Sequence, residues 1–149
     1  MDLDGTLTDA RTCWQGSDIG WVQYYSVRDG EAILRMTARG LPVVPVSANT
    51  TRSACERMQL LGLPTKWLGT EDKPSAVIDI SRTYDIPLNR ICYVGDGLGD
   101  CAVFTMVGLA CAVSDAHPEA LRQAHFVTKA RGGARVLEEI EQLIFHANP

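Results

Sequence analysis

Short apolar runs rich in β-branched residues alternate with longer segments of helical spacing along this chain. No other feature restricts the fold as much. Strands separated by helices pair through crossovers, and crossovers build a parallel sheet. Strands are expected over 41–46 (LPVVPV), 66–68, 91–94 (ICYV), 109–113 (LACAV) and 126–128. Helices are expected over 31–39, 52–61, 75–84, 102–107, 118–123 and 134–145. In the last of these, Val136, Leu137, Ile140, Leu143 and Ile144 form an apolar stripe. Gly40, Gly62 and Gly108 follow helical segments, where left-handed caps are expected. The fold class is therefore α/β: a three-layer, Rossmann-like parallel sheet with helices on both faces. At 149 residues one domain is expected, spanning 1–149. The stretch 8–26 breaks the rhythm with Gly16, Gly20 and the aromatics Trp21, Tyr24 and Tyr25, and it reads as a β-hairpin flap.

The formal net charge is −4, which argues against a nucleic-acid or anionic-membrane partner. No apolar run reaches the ~18–20 residues of a membrane span. The five cysteines (Cys13, Cys55, Cys92, Cys101 and Cys111) form no Cys-x-x-Cys pair. They read as structural thiols in a reducing, cytoplasmic setting, with Cys92 and Cys111 in the core.

In open α/β sheets, ligands bind beyond the carboxyl ends of the strands. Polar residues at four such places stand out: Asp2-Leu3-Asp4-Gly5-Thr6, Ser47 after 41–46, Lys73 ahead of a helix, and Gly95-Asp96-Gly97-Leu98-Gly99-Asp100 after 91–94. Carboxylates crowded together repel and imply a bound cation. Oxygen-only ligands suit a hard ion such as Mg²⁺. A lysine and a hydroxyl among them would bind phosphoryl oxygens. Phosphoryl transfer asks for just this: charge neutralisation and in-line positioning. A carboxylate can also be the nucleophile. Arg131, ahead of two glycines, could reach an anionic substrate. Taken singly each feature has a plainer reading, Ser47 as a helix cap or Lys73 as a solvated charge. Their order along the chain carries the functional one.

Asp2-Leu3-Asp4-Gly5-Thr6-Leu7-Thr8-Asp9 resembles the first motif of haloacid dehalogenase superfamily phosphatases, and Ser47, Lys73 and Asp96/Asp100 resemble the second, third and fourth. Val27-Arg28-Asp29-Gly30, Asp72-Lys73, Val113-Ser114-Asp115-Ala116-His117-Pro118, and Val127-Thr128 followed by Arg131-Gly132-Gly133 resemble the capless branch. That branch holds 3-deoxy-D-manno-octulosonate 8-phosphate phosphatases, sialic-acid-type phosphatases and the phosphatase-like domain of acylneuraminate cytidylyltransferases. The resemblance implies an Mg²⁺-dependent phosphatase acting on a phosphorylated sugar. Asp2 would be the nucleophile and Asp4 the acid and then the base. Ser47 and Lys73 would hold the phosphoryl group. Asp2, Asp4 through its carbonyl, and Asp96 would bind the metal, with Asp100 supporting it. Gly5, Thr6, Arg28, Asn49 and Arg131 are the expected substrate contacts. A homotetramer is implied, in which neighbouring subunits close the site in place of a cap domain.

Three departures stand out. Ala48 and Asn49 replace the Gly and Arg that usually follow the second-motif hydroxyl, and Gly97 replaces a carboxylate of the fourth motif. Only Met1 precedes Asp2 where the family has an apolar strand, so a chain beginning further upstream is expected. Two other readings stay open. One is a catalytically weak oligomerisation or interaction module. The other is a phospho-accepting receiver, which the position of Asp2 at the very start disfavours.

Overall fold

The computed structural model describes residues 1–146. Strands β1 (Thr8–Trp14) and β2 (Trp21–Tyr25) form an antiparallel hairpin. Strands β3 (Cys92–Gly95), β4 (Leu109–Ala112) and β5 (Phe126–Val127) form a parallel sheet in that order. Around it, among the described residues, lie the α-helices α1 (Val27–Ala38), α2 (Arg52–Leu60), α3 (Lys73–Tyr84), α4 (Leu98–Phe104), α5 (Pro118–Gln123) and α6 (Val136–His146). The fold is the α/β arrangement expected from the alternation, with the flap where the rhythm breaks.

The segments 41–46 and 66–68 are not strands, although backbone hydrogen bonds extend the sheet towards them. The Asp2 N–H donates to the Val94 carbonyl, and the Val46 N–H donates to the Met1 carbonyl. Ser47 and Leu68 then share one parallel bridge. Pro42 and Pro45 remove two donors from 41–46. A regular ladder there cannot form, and isolated bonds replace it.

Helix starts differ from the expected ones because side chains outside the apolar pattern cap them. Ser26 accepts from the Asp29 N–H and moves the start of α1 forward to Val27. Asp100 accepts from the Gly97 N–H and starts α4 at Leu98. Thr51, and not Ser47, caps α2 by accepting from the Ala54 N–H. Gly108 is not left-handed as expected, whereas Gly40 and Gly62 are. What Gly108 needs is room: a Cβ there would lie 1.9 Å from the Asn89 carbonyl oxygen.

Alternation along β3 fills both faces of the sheet. Tyr93 meets Phe104 of α4 edge-on, and its neighbours Cys92 and Val94 point the other way. Helix α4 packs with α3 and α5, and α1 packs with α6. The α1–α6 contact is tied by buried Asp29, which accepts from the Leu137 N–H at 2.7 Å and the Arg135 N–H at 3.1 Å. A carboxylate at a helix N-terminus satisfies otherwise unpaired donors and opposes the helix dipole. Cys92 and Cys111 lie side by side as free thiols with sulfurs 3.8 Å apart, Cys111 buried and Cys92 half-buried. Among the described residues no helix is long and apolar enough to cross a membrane.

Candidate active site

An open cleft of about 540 Å³ lies beyond the carboxyl end of β3. Asp2, Asp4, Ser47, Asn49, Lys73, Asp96 and Asp100 line it, and Thr12 and Trp21 of the flap reach its edge. A second cleft of about 380 Å³, between 41–46 and β3, is lined mainly by aliphatic side chains and has no carboxylate or lysine. The chemistry therefore belongs to the first.

Carboxylate oxygens of Asp2, Asp96 and Asp100 lie within 4.8 Å of one another. Lys73, at the first position of α3, donates to Asp2 Oδ1 at 2.7 Å and to Asp100 Oδ1 at 2.8 Å. Helix α3 is started by Asp72, which accepts from the Ser75 N–H, so the helix itself carries the ammonium group into the cleft. Burial disfavours that charge, but Asp2 and Asp100 outweigh burial and hold its pKa above the ordinary value. Burial, followed by the charge of Asp100, pushes the Asp2 carboxyl up. Burial, followed by the adjacent Asp2, pushes Asp96 up to about 8.

Asp100 differs from its neighbours in being saturated. Its Oδ1 accepts from Lys73 and from the Tyr93 hydroxyl, and its Oδ2 from the backbone N–H groups of Asp96 and Gly97. It holds the loop and Lys73 in place, leaving Asp2 and Asp96 to face a cation. An all-carboxylate donor set with half-neutralised charge fits a hard divalent ion. Gly5 makes this packing possible. Its φ is +89°, and a Cβ there would fall 2.1 Å from Asp96 Oδ2.

Asp4 is held from three sides. Its Oδ1 accepts from the Thr8 hydroxyl and the Gln23 side-chain amide, and its Oδ2 from the Asn49 amide at 2.8 Å. The Asn49 carbonyl oxygen accepts from the Thr51 N–H, which fixes the direction of that amide. Ser47 is buried, and its hydroxyl oxygen accepts from the Asn49 N–H. Asn49 thus meets Asp4 as well as the cleft.

Four expected substrate contacts are not brought to the cleft wall. Gly5 lies beneath Asp96. The Thr6 side chain is fully buried, its carbonyl accepting from the Gly133 N–H. Arg28 is exposed on the first turn of α1, 3.9 Å from Glu31. Arg131 is exposed, 3.8 Å from Asp115. Arg28 thus follows an acid one helical turn away, a pair its spacing permits, whereas Arg131 follows one sixteen residues back, which spacing does not reveal. Sequence reasoning missed Gln23, which binds Asp4, and Thr51, which lines the cleft and holds Gln23 and Asn49. The available signal was one polar residue among the aromatics of the flap strand.

A family model for haloacid dehalogenase-like hydrolases matches residues 68–138. The 3-deoxy-D-manno-octulosonate 8-phosphate phosphatase of Yersinia pestis is 31% identical over 146 residues, covering 98% of this chain and 78% of that protein. Its crystal structure superposes with a TM-score of 0.93, over 98% of this chain and 78% of that one. The cobalt-bound deoxy-D-mannose-octulosonate 8-phosphate phosphatase of Haemophilus influenzae, 26% identical, superposes with a TM-score of 0.90 over 98% of this chain and 82% of that one. With the acidic cleft already in place at the end of β3, these likenesses make the chain a phosphoric monoester hydrolase that belongs to the haloacid dehalogenase-like family.

Proposed function

We infer that this phosphatase is Mg²⁺-dependent and hydrolyses a phosphorylated acidic keto-sugar, of the octulosonate 8-phosphate or sialic-acid-type 9-phosphate class, through an aspartyl-phosphate. One observation carries the reading: Asp2, braced by Lys73, and Asp4, braced by two amides, line the same cleft beside Asp96. Relatives about 30% identical act on the octulosonate ester, which supports the sugar class. The cobalt-bound neighbour supports a divalent ion at the acidic cluster.

Asp2 and Asp96 would hold the metal, with the Asp4 carbonyl as a further ligand. When bound, the ion would neutralise charge on Asp2 and on the phosphoryl group. Lys73 and Ser47 would bind the remaining phosphoryl oxygens. An Asp2 oxygen attacks phosphorus as the bond from phosphorus to the sugar oxygen breaks. The bonding pair leaves on that oxygen, which takes the Asp4 proton. The Asp4 carboxylate then takes a proton from water. The water oxygen bonds to phosphorus as the bond to Asp2 breaks, giving inorganic phosphate and restoring protonated Asp4. The sugar and its proton account for the other product.

The flap leaves Trp14, Ile19, Trp21 and Tyr24 at least half exposed. That patch supports a homotetramer whose subunits cover one another's clefts. Free thiols throughout support a cytoplasmic setting. The test is phosphate release with Mg²⁺ from a panel of sugar phosphates that includes acidic keto-sugar esters. Preference for those esters is expected. Release from neutral hexose phosphates alone would remove the substrate class, and no release from folded protein would favour the interaction-module reading.

Metal dependence has a pH signature. Raised pKa values mean that the folded, metal-free chain binds protons more tightly than the unfolded chain. Its stability therefore falls as pH rises from the ordinary carboxylate range, about 4, towards the Asp96 value of about 8. Mg²⁺ removes that repulsion, so its stabilisation grows with pH. At an Mg²⁺ concentration a hundred times the Kd at pH 8, the melting temperature should rise on the order of 5–10 °C at pH 8, and by clearly less at that same concentration at pH 5.5, where protons compete for the carboxylates. Thermal melts with and without MgCl₂ read this directly. An equal shift at both pH values would mean that the carboxylate cluster is not the metal site.

A further inference from the structure

Gln23 stands on β2 of the flap, distant in sequence from every catalytic motif, yet its side chain is buried. Its amide is oriented by its surroundings. The carbonyl oxygen faces two hydroxyls, Tyr25 at 3.1 Å and Thr51 at 3.4 Å. A carboxylate only accepts, so the NH₂ end faces Asp4 Oδ1, and the carbonyl oxygen is left to the two hydroxyls, each of which can donate. Thr51 is itself fixed as the N-cap of α2, and the Arg57 guanidinium of α2 lies 5.8 Å from the centre of the Tyr25 ring. The far end of the amide is therefore held in place from two elements, Thr51 at the start of α2 and Tyr25 in the flap.

The opposite oxygen of Asp4 is fixed by Asn49. With one amide on each oxygen, the plane of the carboxyl group is determined, and the two amides come from different parts of the chain. The Thr8 hydroxyl joins Gln23 on Oδ1, but it also accepts from the Gly5 and Ala10 N–H groups. Thr8 is thus shared with the turn that shapes the loop, whereas both ends of Gln23 are devoted to Asp4 and to the groups that aim it.

We propose that Gln23 is a positioning residue for this reaction: it orients Asp4 for proton transfer to the departing alcohol and makes that orientation depend on a docked flap. The proposal rests on the phosphatase reading above, in which Asp4 is the general acid. It separates Gln23 from a residue that merely helps to close the cleft. Closing the cleft affects every phosphate ester alike. Orienting the acid matters only where the leaving oxygen needs a proton.

The leaving group therefore provides the test. A sugar alkoxide is a poor leaving group and requires the acid, while p-nitrophenolate departs without one. The parameter kcat/KM covers the steps up to departure of the alcohol, so it excludes the later role of Asp4 as base. Wild type and Gln23→Leu are compared with Mg²⁺ on two probes. One is 3-deoxy-D-manno-octulosonate 8-phosphate, or whichever panel sugar phosphate the wild type cleaves fastest. The other is p-nitrophenyl phosphate.

The ratio of kcat/KM for the sugar ester to that for the aryl ester is expected to fall roughly 10- to 100-fold, the scale of a displaced general acid. Most of the loss should sit in kcat, with KM for the sugar ester changed little. Tyr25→Phe, which removes one of the two hydroxyls aiming the amide, should move the ratio in the same direction by a smaller factor. It serves in place of Gln23→Leu if that variant does not fold. Equal losses on both esters, or a higher KM with the ratio unchanged, would overturn the role of Gln23 and leave the phosphatase reading intact. A folded wild type that cleaves neither ester would overturn both.

Discussion

Asp2→Asn is expected to abolish phosphate release, with a loss of at least ~10,000-fold in kcat at saturating Mg²⁺. The side chain is buried and the replacement has the same shape, so the fold should persist. Stability should move the other way from activity. The Asp2 carboxyl is pushed up by burial and then by Asp100, so its charge is unfavourable in the folded, metal-free chain. Removing that charge should leave the metal-free melting temperature at pH 8 unchanged or higher. Lys73 keeps Asp100 as its partner. Phosphate release assays paired with thermal melts separate the two effects. A variant that keeps more than a few per cent of wild-type activity would remove Asp2 as the nucleophile. One that melts well below wild type would mean that Asp2 is a structural carboxylate.

Lys73→Met should lower both quantities. Lys73 bridges Asp2 and Asp100, and all three side chains are largely buried. Removing one partner of a buried pair leaves the other charge uncompensated, at a cost of about 3–5 kcal/mol. For a chain of this size that corresponds to a fall in melting temperature on the order of 10 °C at pH 8 without metal. The loss should shrink as pH falls, because the raised carboxyl of Asp2 then takes up a proton in place of the lost lysine charge. Mg²⁺ should restore part of the stability. It should not restore activity, since a donor to the phosphoryl oxygens is missing, and kcat should remain roughly 100- to 1,000-fold down. A pH-independent loss of stability would show that the hydrocarbon stem of Lys73 matters more than its charge.

The three departures from the family pattern show where local reading stops. Asn49, where an arginine is usual, reads as the loss of a substrate-binding charge. In the folded chain it holds Asp4 and receives the Thr51 N–H. Gly97 reads as a missing metal carboxylate. It caps α4 and donates its N–H to Asp100, helping to saturate that residue as a support for the cluster. Met1 does stand where a strand residue is expected, with its carbonyl accepting from Val46. For Asn49 the partner, Asp4, is remote in sequence, and residue type alone does not name it; for Gly97 the partner is three residues on, and the role is a backbone one that a missing side chain does not reveal.

The strand–helix rhythm, the flap and the acidic motifs were legible because each rests on local physics. Periodicity separates helix from strand, glycines mark the hairpin, and carboxylates beyond a strand end need a cation. The segment 41–46 failed that reading because a strand is defined by its neighbours, and its two prolines remove the donors a neighbour would use. Only the tertiary structure decided what surrounds Asp4. It placed Gln23 and Asn49 on opposite oxygens, it set Arg131 beside Asp115, and it left both Arg28 and Arg131 out of the cleft lining. Sequence by itself determined which chemistry the chain carries, because carboxylates, lysine and glycine have properties that belong to the residues. The aim of each group was decided by folding, because orientation is set by hydrogen bonds between segments that the chain brings together only when the sheet, helices and flap have docked.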